Sequence, residues 1–255
     1  MRQMAQSSKR YPADPFPTSN SGDLVMKWII CALSLIALPA SALTFTTEDN
    51  PPFNFLKDGQ ITGSSTDVLK EVIKRTGIAA SFTLYPWARA YNMALSDKST
   101  CVYTTARTEA REKLFKWVGP LASDNWVLYA KSNSSISAKT LDELKKYKVA
   151  GYLDDAKSIF LKSKGFAIFE APSDEQNINN LDAGRIDLWA ASSKVGAWRA
   201  KVNGVKVKPI ISFKEVEFYA ACNPSIPDAE INKMNAAIKA IQADGTLDRI
   251  SKAYR

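Results

Sequence analysis

Histidine is absent from all 255 residues. That removes every Ser-His-Asp or Cys-His catalytic arrangement and nearly every common zinc site. Cysteine is scarce, with three in all, at Cys31, Cys101 and Cys222. Downstream of residue 42 there is no internal repeat, no Gly/Ser linker and no low-complexity tract. That argues against a solenoid and against modules on floppy tethers. Only one long apolar run exists, near the N-terminus, and none follows it, so the rest of the chain is expected to be soluble. No Lys/Arg cluster is dense enough to be a nucleic-acid tail. Lys145-Lys146 belongs to an ordinary helix face, and no nucleic-acid partner is expected.

The one apolar run carries its own message. Residues 1–25 are polar, rich in Ser and Pro, and without an apolar period. From Met26 the chain reads MKWIICALSLIALPASA: one cation, Lys27, then an apolar stretch, then Ala40-Ser41-Ala42. This is the order of a cleavable signal peptide, and the stretch is short of the about 20 residues a bilayer span needs. Cleavage after Ala42 is expected to leave 43–255, 213 of the 255 residues, with Met26 as an alternative start. Four basic and two acidic residues go with the leader, so 30 basic against 24 acidic remain, a charge of +6. Cys31 leaves too. The remaining pair, Cys101 and Cys222, in an exported chain reads first as a disulfide, and otherwise as two buried thiols. The residue directly after Ala42 is Leu43 and not a cysteine, so no lipid anchor is expected.

The pattern beyond the leader alternates strands and helices. Leu43 and Phe45 alternate with threonines as a strand does, and EDNPP ends it. Val68, Leu69, Val72 and Ile73 recur at helical spacing before Gly77. ASFTLYPW is a strand, ARAYNMALSD a short helix and TCVYTTA a third strand, the signature of parallel α/β structure. DNWVLYAKS is extended. KTLDELKKY is predicted to be a helix opened by a Thr140/Glu143 capping box. KVAGYL, FAIFEA and the IDLWAAS stretch are strands, separated by helices, in a second α/β unit over about 131–210. VEFYAACNP is a strand, and two helices split at Gly245 end the chain. A cleft between two such lobes is a standard place for a small-molecule site.

The stretch TTARTEAREKLFKWVGP, residues 104–120, places Arg107 and Arg111 just after a strand that ends in small hydroxylated residues. Fixed guanidinium groups there could grip an anion, or they could be the solvated face of a helix start. Together with TEDNPPFNF, DGQITGSSTDVLKEV, LDAGRIDLWAAS and IKAIQADGTLDRISKAY, in that order, it resembles the periplasmic solute-binding proteins of the polar amino acid type, bacterial extracellular solute-binding family 3. The resemblance runs over essentially all of 43–255.

The resemblance implies an α/β, two-lobe periplasmic binding protein fold (type II), with a central cleft and two hinge strands. It places lobe 1 at 43–128 plus 214–255 and lobe 2 at 129–213, after an upstream segment and signal peptide at 1–42. It implies a non-enzymatic periplasmic protein that captures a small polar solute, an amino acid or related carboxylate, for an ABC importer. The expected partners are that ligand and an ABC permease in the inner membrane. A monomer and no cofactor are expected.

The family's carboxylate-gripping arginine falls on Arg111, with Thr108 at the preceding threonine position. Paired guanidinium donors suit a carboxylate, and such charge-assisted bonds are worth roughly 1.5–3 kcal/mol each. Trp87 falls where the family covers its ligand with an aromatic, though core packing would also explain it. Glu48 and Asn50 lie on the loop after the first strand, and Thr105 on the loop after the third. Arg89 is a third arginine near the cleft. Arg107 is either a second cation there or a partner of Glu48 or Glu109. The family's acid for a ligand ammonium falls on Ser192, an uncharged residue. The turn GYLDDA puts Asp154 and Asp155 at a helix start, as caps or with Asp154 meeting a cationic ligand group and Tyr152 stacking on it. The family fold also makes the Cys101 and Cys222 strands neighbours. Two other readings share this scaffold: a ligand-sensing module for a receptor, and a dehydratase-like enzyme using Glu48, Asp154 and Asp155 as acid and base. A buried carboxylate standing in the cleft would favour the enzyme.

Overall fold

The computed structural model describes residues 42–254. The signal-peptide reading and Cys31 lie outside the described residues. The first strand, β1 (Leu43–Thr47), is flanked in parallel by β4 (Ala80–Leu84) and β5 (Thr100–Ala106). Helix α1 (Ser64–Thr76) buries Val68, Leu69 and Val72 against this sheet and ends at Gly77. Helix α2 (Trp87–Ser96) starts directly after Pro86 and buries Trp87, Ala90 and Ala94. The second parallel set is β9 (Leu188–Ser192), β7 (Val149–Tyr152) and β8 (Ile168–Ala171), packed by α3 (Ala156–Ser163), α4 (Asp174–Asp182) and α5 (Ser193–Val202).

Two long strands join the sets. Strands β6 (Lys116–Lys131) and β10 (Val207–Cys222) have 16 residues each and pair antiparallel from Lys131↔Val207 to Lys116↔Cys222. One eight-stranded sheet results, in the order β4-β1-β5-β10-β6-β9-β7-β8. The short stretches DNWVLYAKS and VEFYAACNP are thus the parts of β6 and β10 that read most plainly as strand. The chain ends in α6 (Asp228–Ala243) and α7 (Thr246–Lys252). Ile231, Met234, Ile238 and Ile241 of α6 return to the core of the first parallel set, beside Leu43 and Phe45.

Two segments differ from the sequence reading. The expected helix KTLDELKKY is only a 3-10 turn over Asp142–Leu144. The capping box does not form: Thr140 Oγ1 donates to the Glu143 carboxylate at 3.0 Å, a side-chain pair that leaves the turn's backbone N–H groups uncapped. Successive i→i−3 bonds, Leu144 N to Leu141, Lys145 N to Asp142 and Tyr147 N to Leu144, already bring Leu141, Leu144 and Tyr147 to the core, and β7 begins at Val149, which leaves no length for a further helical turn. Conversely, the stretch after Asn54 holds a hairpin of β2 (Phe55–Lys57) and β3 (Gln60–Thr62). Its turn is Asp58-Gly59, both at positive φ (51° and 75°), the conformation that favours Asp-Gly.

Gly63 fixes the loop that leads to the cleft. Its φ is 123°, and a Cβ there would lie 2.3 Å from the Phe53 carbonyl oxygen. That carbonyl accepts from Ser65 N at 2.9 Å, so the close approach ties the start of α1 to the 48–54 loop. Gly63→Ala should lower unfolding free energy by about 2 kcal/mol or more, through strain and a clash with backbone. Urea melts check this, and an unchanged midpoint would overturn it.

Candidate functional site

The carboxyl ends of β1, β5 and β9 meet the N-termini of α2, α3 and α5 around one small cavity. Glu48, Asn50, Trp87, Thr104, Ala106, Arg111, Trp126, Asp155, Ala156, Lys157, Ser192 and Phe218 line it, leaving about 20 Å³ of free space. Phe53, Ala106, Trp126, Ala156, Val195, Val216 and Phe218 form the apolar cluster beneath, drawing on both parallel sets and both long strands.

Each polar wall has a local cause. The loop after β1 is pinned by Asn54, whose Nδ2 donates to the Glu48 carbonyl at 2.6 Å. This turns the Glu48 side chain inward, 7% exposed, with Oε2 lacking any hydrogen-bond partner. Asp49 faces the other way and pairs with Arg199. At the end of β5, Thr104 adopts φ 59° and its buried Oγ1 is also unpartnered. Arg111 sits in a 3-10 turn over Glu109–Leu114, 7% exposed. Its guanidinium lies 5.3 Å from the Trp87 ring centroid and 5.0 Å from that of Tyr91. Among the described residues no carboxylate pairs with it, and its one hydrogen bond is a long one to the Ala106 carbonyl, 3.4 Å. A flat cation held against two aromatic faces, with donors to spare, is prepared for a planar anion.

The opposite wall carries a charged pair. Asp155 caps α3 by accepting from Lys157 N at 2.7 Å, and the Lys157 ammonium lies 2.9 Å from the same oxygen. Asp174, at the start of α4, accepts from Trp189 Nε1 at 2.9 Å. Ser192 precedes α5 but makes no capping bond; Asp124 accepts from Lys194 N at 3.0 Å instead, which leaves the Ser192 hydroxyl to the cavity.

These groups shape one another's protonation. Burial pushes the Glu48 carboxyl up to about 8, and Asp155 and Asp174 add to the rise, while Lys157 and the Tyr152 phenol oppose it. Burial also raises Asp174, against the pull of Lys157. Lys157 stays above its ordinary value, because Asp155, Asp174 and Glu48 outweigh the burial that would depress it. Burial and the Glu48 charge raise Tyr152.

The model of the bacterial extracellular solute-binding proteins, family 3, matches residues 43–255. The chain belongs to this family. A probable amino-acid-binding protein of Bacillus subtilis (strain 168), YxeM, is 25% identical over 218 residues, 82% of this chain and 81% of its own. A probable amino-acid ABC transporter-binding protein of Haemophilus influenzae is 25% identical over 214 residues, covering 78% and 79%. In fold, the chain resembles a histidine kinase sensor domain with similarity to periplasmic binding proteins, with TM-score 0.79 and 17% identity over 84% of this chain and 96% of that one. The architecture is the two-lobe, mixed α/β fold with a large central sheet.

Within this family member, the structure gathers Glu48, Asn50, Trp87, Arg111 and Ser192 at one cavity. Trp87 also bridges outward, donating from Nε1 to the Asp154 carbonyl at 3.2 Å. Tyr152 stands at the edge, its hydroxyl accepting from Trp87 N at 3.4 Å. Arg89, Arg107 and Thr105 lie elsewhere, and Asp154 lines an adjoining hollow with Trp87, Tyr91 and Arg111. Arg89 is exposed and stacks over Tyr85 at 4.2 Å. Arg107 is exposed and forks onto Glu112 at 2.8 and 2.6 Å, rather than onto Glu48 or Glu109. Thr105 turns into the sheet, donating to the Val102 carbonyl at 3.1 Å, because the positive φ at Thr104 breaks the strand's alternation there. The Asp154 side chain is exposed, since φ 57° at that residue turns the next carboxylate, Asp155, inward. Thr104, Trp126, Lys157 and Phe218 line the cavity without having been singled out, and Asp155, read above as a cap or an acid–base candidate, lines it with them. The DDA sequence did mark a helix cap; which of its two aspartates faces the cavity depends on that backbone angle.

Proposed function

We propose that this chain captures a small polar solute, an amino acid or related carboxylate, between its lobes and delivers it to an ABC permease in the inner membrane. The observation that carries this reading is the buried Arg111 guanidinium, held by Trp87 and Tyr91 with no carboxylate partner among the described residues. The family and the names of the two relatives support it. In this reading the protein works in the periplasm as a monomer after loss of a signal peptide. Lobe 1 is 43–128 plus 214–255, lobe 2 is 129–213, and β6 and β10 are the hinge about which ligand shifts the population toward the closed form. Glu48, Asn50, Trp87, Thr104, Arg111 and Ser192 contact the ligand.

The experiment is a thermal-shift screen of stripped protein against amino acids, opines, polyamines and small organic acids. A ligand at 100 times its Kd adds about 2.7 kcal/mol, a visible shift. Carboxylate hits uphold the reading; a panel in which no carboxylate shifts the melt overturns it.

One observation favours a second reading, an enzyme on this scaffold. Glu48 is a buried carboxyl held at about 8, a value that suits a general acid near neutral pH. The other two acid–base candidates do not join it as a free pair, since Asp154 is exposed and Asp155 is tied to Lys157. Proton NMR of a bound ligand after overnight incubation separates the readings. Unchanged ligand supports binding alone, and a dehydrated or hydrolysed product supports the enzyme.

A further inference from the structure

The cavity is not the only place where the proposed lobes touch. A second set of contacts runs from the segment after β1 to α5, and none of its residues lines the cavity. Arg199 of α5 donates from Nη2 to the Asp49 carboxylate at 2.5 Å and to the Asp49 carbonyl at 3.0 Å. Its Nη1 lies 3.4 Å from Glu175 of α4. Asn203, one turn further along α5, donates to the same Glu175 oxygen at 3.3 Å and helps to hold it in place. The Arg199 side chain is 14% exposed, so it is fixed from behind by its own lobe and presents a fork to the other. Beside it on α5, the Trp198 ring packs on Phe55 of β2 at 5.4 Å. Phe55 is backed by Tyr254 at 6.4 Å, and the Tyr254 hydroxyl shares a hydrogen bond with Thr62 of β3 at 2.9 Å. The β2/β3 hairpin is thus braced from lobe 1 and carries an aromatic ring to lobe 2.

We propose that Asp49, Arg199 and Glu175, together with the Phe55–Trp198 pair, form a latch that holds the two lobes together in the ligand-free protein. This rests on the two-lobe hinge reading and adds a control on it: the latch, rather than the solute alone, sets how much of the free protein is closed. Both halves of every latch contact belong to the chain, so the contacts form whenever the lobes meet. The link to the cavity is one peptide bond. Glu48 turns into the cavity and the next residue, Asp49, turns out to Arg199, so closing the latch also seats the loop that walls the site.

The energetics favour testing by charge reversal. Asp49 is half exposed, with 49% of its side chain open to solvent, and simple removal of such a pair has a small effect. Forcing like charges together at the same contact costs more. A latch that acts through charge is also restored when both signs are exchanged, which a contact that only fills space would not be.

The test is small-angle X-ray scattering from the mature, ligand-stripped protein at low salt, where screening does not mask the pair. It reads the separation of the lobes with no ligand present. The unaltered protein is expected to scatter as this closed structure does. Arg199→Asp sets a carboxylate against Asp49 and Glu175, and Asp49→Arg sets two guanidinium groups together. Each should lower the closed-to-open ratio about tenfold, so that a population about nine-tenths closed becomes about half open and the radius of gyration rises. The combined Asp49→Arg/Arg199→Asp exchange should bring the radius back to that of the unaltered protein, a recovery that general damage to the fold would not show. Single variants as compact as the unaltered protein, an unaltered protein already as open as they are, or an exchange that stays open would each overturn the latch. All of these leave the solute-binding reading standing, because no ligand takes part. Should one single variant misfold, the other carries the comparison.

Discussion

Arg111→Ala is expected to bind any carboxylate ligand more than a hundredfold more weakly than the unaltered protein. The guanidinium offers two parallel donors to a carboxylate, and such charge-assisted bonds are worth roughly 1.5–3 kcal/mol each. Losing both costs about 3–6 kcal/mol, and every 1.4 kcal/mol is about tenfold in affinity. The ligand's anion would also be left without a counter-charge, since Arg111 is the one cavity-lining cation not already paired with a carboxylate. The fold should survive. The side chain leaves its stacks on Trp87 and Tyr91, worth about 0.5–2 kcal/mol, but a buried cation is removed with it. Arg111→Lys should fall between, because it keeps the charge and loses the fork. Calorimetry on both variants checks this, and unchanged affinity in Arg111→Ala would remove the residue from the site.

Breaking the Cys101–Cys222 bond is expected to lower the melting temperature by roughly 10–15 °C. The two residues are opposite one another in the β5/β10 register, bonded and fully buried, with a sequence separation of 121. In the chain-entropy account a loop of that length is worth about 4–5 kcal/mol. A domain of this size loses about 2–4 °C per kcal/mol. A Cys101→Ala/Cys222→Ala pair compared with the oxidised protein by calorimetric melting measures the effect. Thiol titration of unreduced, denatured mature protein should find none. Two free thiols, or equal melting points, would sink the proposal that the bond is a main support of the fold.

The fold was legible because its signals are local. Alternating Leu43 and Phe45, the i, i+3, i+4 spacing of Val68, Leu69 and Val72, and the break at Gly245 each describe one element and were found where expected. KTLDELKKY failed because its capping box does not form and its Leu141, Leu144 and Tyr147 already reach the core through 3-10 type bonds before β7 begins at Val149. The β2/β3 hairpin was missed although Asp58-Gly59 announced it, because three-residue strands leave almost no period to read. The site divides the same way. Arg111 was legible as a guanidinium just past a strand end. Thr104 against Thr105, and Asp155 against Asp154, were decided by single backbone angles at positive φ, which no pattern of side chains records. Lys157 was invisible for another reason. A lysine on a helix reads as solvated, and here a cap residue two positions earlier draws it inward.

Strand order carries a consequence for how the chain reaches this state. The strand that sits between β5 and β6 is β10, and it is the last strand of the chain to be made. Until residues 207–222 have emerged, β5 and β6 have no strand to join them, and Cys101 lacks its partner Cys222. A nascent chain of this protein therefore cannot close its central sheet early. It must stay open, with two unpaired edges, until nearly its whole length is available. That delay makes the stretch from residue 207 onward, about a fifth of the 255 residues, the step that commits the rest.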